Sequence, residues 1–294
     1  MKPQQIGNFR VDRVLENEGP YFALDFLVPG APPDLIAENA DWLKPRFVDP
    51  ADDRLILAFQ SFVLRTGRHT ILIDACTGND KPRPERPHWH MQKHPFLDRM
   101  RAAGVAPEAI DFVFCTHLHA DHVGWNTKLE NGRWVPTFPN ARYVFARREY
   151  EYWEKEHRAA LAAGGAPLNH GSFADSVLPV VEAKRAVFVA SDHEFEAGVH
   201  LEPAYGHTPG NCVLHARSNG AHAVFIGDVM HTAVQLANPA LSSRFCSDPA
   251  ESAKTRMALV ERHAETDTLL LACHFPTPVA GRIRRRGAGF ALAV

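Results

Sequence analysis

"FCTHLHADHVGWN", residues 114–126, is the stretch whose reading decides the fold. His117, His119, Asp121 and His122 crowd into six positions directly after the apolar run "IDFVFCT" (110–116). Imidazole nitrogen and carboxylate oxygen suit divalent first-row ions such as Zn²⁺. If the strand continues through 117–119, His117 and His119 point to the same side and can close on one ion. Asp121 and His122 lie past the strand end, where the chain turns, and can face a second. The preceding strand gives these ligands a rigid base. The competing reading is a solvated polar turn. With 17 His and 17 Asp in the chain, a random shuffle contains HxHxDH only about three times in a thousand sequences. A polar turn also gives no reason for the absence of Lys, Glu and Ser from the cluster.

Two ions with an open coordination position need six or seven ligands. The others are expected at strand ends, where chains meet in a layered α/β protein. Three positions qualify. His207 follows strand "VHLEPAY" in the loop "AYGHTPGN", whose Gly and Pro allow close approach. Asp228 ends the apolar strand of "VFIGDVMH", and His274 ends that of "LLLACHFP". A carboxylate beside "VFIG" is costly unless it is paired or bound to a cation. Alone, each would read as an ordinary loop or core residue; their repeated placement makes them a set.

HxHxDH at 117–122, a GHTPG-type His207, a GD aspartate at 228 and a late His274 resemble the metallo-β-lactamase superfamily in order and approximate spacing. The resemblance covers roughly residues 55–280. It implies an α/β fold, a four-layer αββα sandwich with two mixed β-sheets and outer helices, and a dinuclear metal site at one edge. It further implies that His117, His119 and His207 hold the first metal, that Asp121, His122 and His274 hold the second, and that Asp228 bridges them. Within the superfamily the chain is similar to the acyl-homoserine lactonase and methyl-parathion-hydrolase-like branch. One departure stands out. Such lactonases commonly place a tyrosine three residues after the bridging aspartate, and here that position is His231.

The implied chemistry is hydrolysis. Two divalent ions, Zn²⁺ first with Fe, Mn or Co as alternatives, can share a water and lower its pKa toward 7. The resulting bridging hydroxide would cleave a small, fairly apolar lactone or ester, or a phosphotriester at the same site. Asp121 can shuttle a proton to the leaving group, and His231 can assist that transfer or bind substrate. Asp74, which ends "ILID", can orient a ligand histidine. Trp89, Trp125 and Phe275 are candidates for an apolar wall, two of the three being expected in the core. His88 and His90 read as surface. A sulfur dioxygenase-type iron enzyme is a further alternative that the length accommodates. A flavin-linked oxidoreductase needs a domain for which there is no room.

Composition fits this reading. At 45% hydrophobic and 22% charged residues, the chain can bury a sizeable core. A net charge of −2 gives no support to nucleic-acid binding. No run approaches the roughly 20 apolar residues needed to cross a bilayer, and the N-terminus lacks a signal-peptide pattern. Five scattered cysteines without a CxxC pair suit a reducing compartment, so a cytoplasmic location is expected. No linker or repeat divides the chain, which reads as one domain over 1–294. The Pro-rich stretch 28–53 reads as an irregular excursion with one short helix (34–40). As an arm it could support a homodimer. Residues 55–66 and 69–76 are expected to form a hairpin about Gly67. The spacing predicts helices at 96–104, 148–165 and 172–183, and most clearly at 247–265. There Asp248 is the cap and Pro249 takes the first helical position.

Overall fold

The computed structural model describes residues 2–294. Strands and helices alternate along the chain. Strands β1 (Gln4–Ile6) and β2 (Phe9–Phe22) come first, followed by short helices α1 (Leu24–Leu27), α2 (Leu35–Glu38) and α3 (Ala40–Leu43). Then come β3 (Leu55–Arg65), β4 (Thr70–Ile73), α4 (Phe96–Ala102), β5 (Phe112–Phe114) and α5 (Ala120–Val123). The hairpin β6 (Thr127–Glu130) and β7 (Arg133–Pro136) precedes β8 (Arg142–Ala146), α6 (Arg147–Ala162), α7 (Leu178–Glu182) and β9 (Ala186–Val189). The last third holds β10 (Glu194–Glu196), β11 (Val199–Pro203), β12 (Cys212–Ser218), β13 (Ala221–Phe225), α8 (Val234–Ala237), α9 (Pro249–His263), β14 (Leu269–Leu271), β15 (Ala280–Arg286) and β16 (Gly289–Ala293). The α/β class with two mixed sheets expected from the sequence is what the chain adopts.

The chain forms two compact units. One comprises residues Lys2–Asn17 and Phe59–Ser191. It is built on a seven-stranded sheet ordered β1-β2-β3-β4-β5-β8-β9, although β2 and β3 run past its boundaries. β3 and β4 pair antiparallel, as the Gly67 hairpin predicts, whereas β4-β5-β8-β9 are parallel. Parallel neighbours need a crossover, and α4 and α6 lie in those connections. The parallel strands are nearly continuous apolar runs because helices cover such sheets. Val63, Leu72, Val113, Tyr143 and Phe145 form the core with Phe96 and Met100 of α4 and Trp153 of α6.

The other unit comprises Glu18–Ala58 and Asp192–Val294, with the sheet β10-β11-β12-β13-β14-β15-β16. Only β13 and β14 pair parallel, and α9 lies between β13 and β14 in sequence. Val213, Val224 and Leu270 meet Leu259 and Val260 of α9 in its core. The stretch 28–53 is not an irregular surface loop. Val28, Leu35, Ile36, Leu43, Phe47 and Val48 are buried in this same core. The single helix expected at 34–40 is two helical turns, α2 and α3, meeting at Asn39.

Two further differences concern local chemistry. Residues 172–183 begin as a π-turn over Phe173–Val177 before α7, and Ser172 makes no capping bond. Asp175, inside that turn, forms a bidentate ion pair with buried Arg83 at 2.6 and 2.8 Å. By contrast, α9 starts as expected, with Glu251 N donating to Asp248 Oδ1 at 3.0 Å and Pro249 in the first turn. Among the described residues no helix is long and apolar enough to cross a membrane.

Candidate metal centre

The strand under the HxHxDH motif ends at Phe114, earlier than the sequence suggests, so His117 and His119 are not strand residues. The reason lies in what satisfies the backbone. The Asp74 carboxylate accepts from Thr116 N at 2.8 Å and from its Oγ1 at 3.1 Å, which draws the chain out of the ladder. Leu118 N donates to Glu149 Oε1, and Trp153 Nε1 donates to the same oxygen. Asn169 brackets the loop, accepting from Ala120 N at 3.0 Å and donating to Leu118 O at 2.7 Å. Asn169 and His170 do this with φ of 50° and 55°, a left-handed conformation that is uncommon for side-chain-bearing residues. Glu149 and Asn169 were not singled out from the sequence, because their roles depend on partners tens of residues away.

This loop still sets the imidazoles of the motif close together. His117 Nε2 lies 3.1 Å from His119 Nδ1, with the rings at 82° to each other. His117 Nδ1 is 3.1 Å from Thr116 Oγ1, which turns its Nε2 toward His119. His122 Nδ1 is 3.0 Å from Asp74 Oδ2, which turns its Nε2 toward Asp121 Oδ1 at 3.9 Å. Asp74 thus lies against both the His122 ring and the strand exit. His117 and His122 are buried; His119 and Asp121 are partly accessible.

The second unit gathers a cluster about Asp228, which is 2% exposed. Its Oδ2 is 3.1 Å from His207 Nε2 and 3.2 Å from His231 Nε2. Its Oδ1 is 3.1 Å from His274 Nε2 and 3.2 Å from Cys273 Sγ. His274 Nδ1 lies 2.9 Å from Ala58 O, a contact that turns its Nε2 toward the Asp228 carboxylate. Three imidazoles and a thiol around one buried carboxylate are the donor types that divalent first-row ions take, so this set fits a metal ion. Burial lowers the basicity of His207, and the Asp228 charge more than offsets that, raising it to about 9. Burial dominates for His231, which is pushed down to about 4 against the pull of Asp228.

Local sequence explains the placement. Gly206 has φ +118° and packs where a Cβ would stand 2.1 Å from Ser252 N, so His207 is delivered by a loop pressed on the start of α9. Asp248 N donates to Gly206 O and Ser247 N to His207 O, tying the two together. Buried Arg256 of α9 donates to Val229 O at 2.9 Å and holds the turn that follows Asp228. His231 N donates to Gln235 Oε1 at 2.8 Å. Beyond His231, the ring of Phe245 lies at 6.3 Å, and Phe22 and Phe26 stack at 5.3 Å beside it. Phe26 is exposed. Of the aromatics weighed from the sequence, Trp125 and Phe275 are core and Trp89 is half-buried. Neither Cys273 nor the aromatic group at Phe22, Phe26 and Phe245 stands out in the sequence as part of a site.

Comparison with known proteins places this arrangement. The sequence profile of the Metallo-beta-lactamase superfamily matches residues 60–274. A stretch of 54 residues is 37% identical to the N-acyl homoserine lactonase AttM of Azorhizobium caulinodans, and 56 residues are 36% identical to AttM of Agrobacterium fabrum. These matches span 18 and 19% of this chain and only 17 and 18% of the lactonases. The structure is similar to that of hydrolase AbOPH of the beta-lactamase superfamily, with a TM-score of 0.80, 22% identity, and 99% of this chain and 96% of that one covered. It is also similar to AidC, a dizinc quorum-quenching lactonase, with a TM-score of 0.78, 21% identity and the same coverage. At these identities the likeness shows the fold.

Proposed function

The chain belongs to the metallo-β-lactamase superfamily, and on that premise we propose that it is a metal-dependent hydrolase of small, fairly apolar lactones or esters. His117, His119 and His207 would hold one divalent ion, and Asp121, His122 and His274 a second, with Asp228 shared. Bound there, two such ions supply an ionised water near neutral pH and Lewis-acid polarisation of a carbonyl or phosphoryl oxygen. Zn²⁺ suits the imidazole-rich donor set, with Fe, Mn or Co as alternatives.

The observation that carries this reading is the Asp228 cluster, where imidazole nitrogens crowd a buried carboxylate at 3.1 to 3.2 Å. The chain's own residues supply the rest. Asp121 is partly accessible and 3.9 Å from His122 Nε2, and it would carry a proton to the leaving oxygen. His231, standing where related lactonases commonly have tyrosine, would donate a hydrogen bond to the substrate carbonyl. Phe245, Phe22 and Phe26 run outward from His231 and favour an apolar substituent on the substrate.

The test is a panel of lactones, aryl esters and phosphotriesters with metal-loaded protein, alongside elemental analysis. Turnover of lactones or esters with about two ions per chain is expected. Faster turnover of phosphotriesters would move the substrate class and keep the metal centre. Oxygen uptake with bound iron would replace the hydrolase reading by a sulfur dioxygenase-type one. Asp121→Asn should lower kcat by about 10²–10⁴-fold, the usual contribution of a positioned acid–base group. Unchanged turnover would remove Asp121 from the chemistry.

A further inference from the structure

Resting on that metal reading, we propose that Cys273 is itself a ligand, its thiolate joining Asp228 and His274 on one ion. Three donors of different kinds, a carboxylate oxygen, an imidazole nitrogen and a sulfur, stand within 4.8 Å of one another there. Asp228 Oδ1 is 3.2 Å from Cys273 Sγ and 3.1 Å from His274 Nε2. With metal–ligand bonds of ~2.0–2.3 Å, neighbouring donors on a five-coordinate ion stand roughly 2.9–3.7 Å apart. The observed spacings therefore need only small shifts to surround an ion.

Cys273 is 4% exposed and adjoins His274 at the end of β14, so the strand that delivers the imidazole delivers the sulfur. Cys273 Sγ also lies 3.2 Å from Gly227 O, beside Asp228 in sequence. On ligation the thiol releases one proton to solvent and the sulfur takes the metal in its place; no electron moves. A sulfur donor makes this position softer than an all-nitrogen-and-oxygen site and biases it toward Zn²⁺ over Mn²⁺. The other cysteines have different surroundings. Cys246 Sγ lies 3.6 Å from His207 Nδ1, the nitrogen opposite the one that faces Asp228. Cys212 donates to Gly210 O, Cys76 meets Ser61 and Cys115 meets Asn126.

The experiment reconstitutes the full-length metal-free protein with Co²⁺ and, separately, with Zn²⁺. Wild-type Co²⁺ protein should show visible d–d bands and a near-ultraviolet sulfur-to-cobalt charge-transfer band. Cys273→Ser should lose the charge-transfer band and keep the d–d bands, with an unchanged far-ultraviolet dichroism spectrum. Cys246→Ser should keep both. X-ray absorption of the wild-type Zn²⁺ protein should place sulfur in the zinc coordination sphere at ~2.3 Å. Should Cys273→Ser fail to fold, that wild-type measurement decides alone. The inference is overturned by d–d bands without charge transfer in wild type, by a charge-transfer band that survives in Cys273→Ser, or by zinc without sulfur. Failure to bind Co²⁺ or Zn²⁺ at all would instead bring down the metal reading on which it rests.

Discussion

Asp74 holds two things at once, Thr116 of the strand exit and Nδ1 of His122. Replacing it with Asn removes the charge that fixes the histidine tautomer but keeps most of the volume. We expect metal affinity to fall about 10–100-fold, as for other carboxylates behind a ligand histidine, and a Zn²⁺ competition titration measures it. A different histidine group governs acid stability. On the sheet face that meets α9, His215 Nδ1 lies 2.9 Å from His222 Nε2, whose Nδ1 lies 3.0 Å from Thr268 Oγ1. Burial lowers both imidazoles to about 3, helped for His215 by His200 and His263 and for His222 by Arg217. The unfolded chain binds these protons near the ordinary pKa of about 6.5, so it takes up more protons than the fold between pH 6.5 and about 3. Stability present above pH 6.5 is thus lost as pH falls across that window. Urea unfolding midpoints should drop accordingly, and a His215→Asn/His222→Asn variant should show a shallower slope. Equal slopes would remove these two residues from the acid response.

At the scale of elements, α9 and the loop before it work as one part. Gly206→Ala would put a methyl into the α9 backbone at a φ that only glycine adopts readily. Strain of this kind costs on the order of 1–3 kcal/mol, and His207 would move with the loop. Chemical denaturation and metal titration should both register the change; a variant that binds metal normally would show the loop to be compliant. Elements like α9 were legible because their signals are local: Asp248, Pro249 and the apolar spacing announce it. The hairpin about Gly67 was legible for the same reason. The strand exit at Phe114 was not, because it is set by side chains at 74, 149 and 169 that only the fold brings near. The stretch 28–53 misled for a similar cause. Its prolines advertise a loop, while its burial depends on a sheet drawn from the far end of the chain. The metal-type residues could be named from spacing, yet Cys273 could not, since a cysteine in "LLLAC" looks like any other buried apolar residue.

For the molecule as a whole, the described residues form two units, each with its own core, to whose stability a bound metal would add. Binding to the folded state alone adds about 4 kcal/mol when free metal stands ~1,000-fold above Kd. At roughly 2–4 °C per kcal/mol for a chain of this size, chelation should lower Tm by roughly 10 °C. Calorimetry with and without chelator tests this, and a Tm that does not move would separate the ligands from the fold's stability. One consequence follows from the left-handed pair Asn169 and His170. Asn169 ties the loop at both Leu118 and Ala120 from a conformation few other side chains tolerate. In a laboratory evolution campaign toward new substrates, randomising that position would yield mostly dead clones. The diversity is better placed at Phe22, Phe26 and Phe245, where the backbone is ordinary and the rings are partly open to solvent.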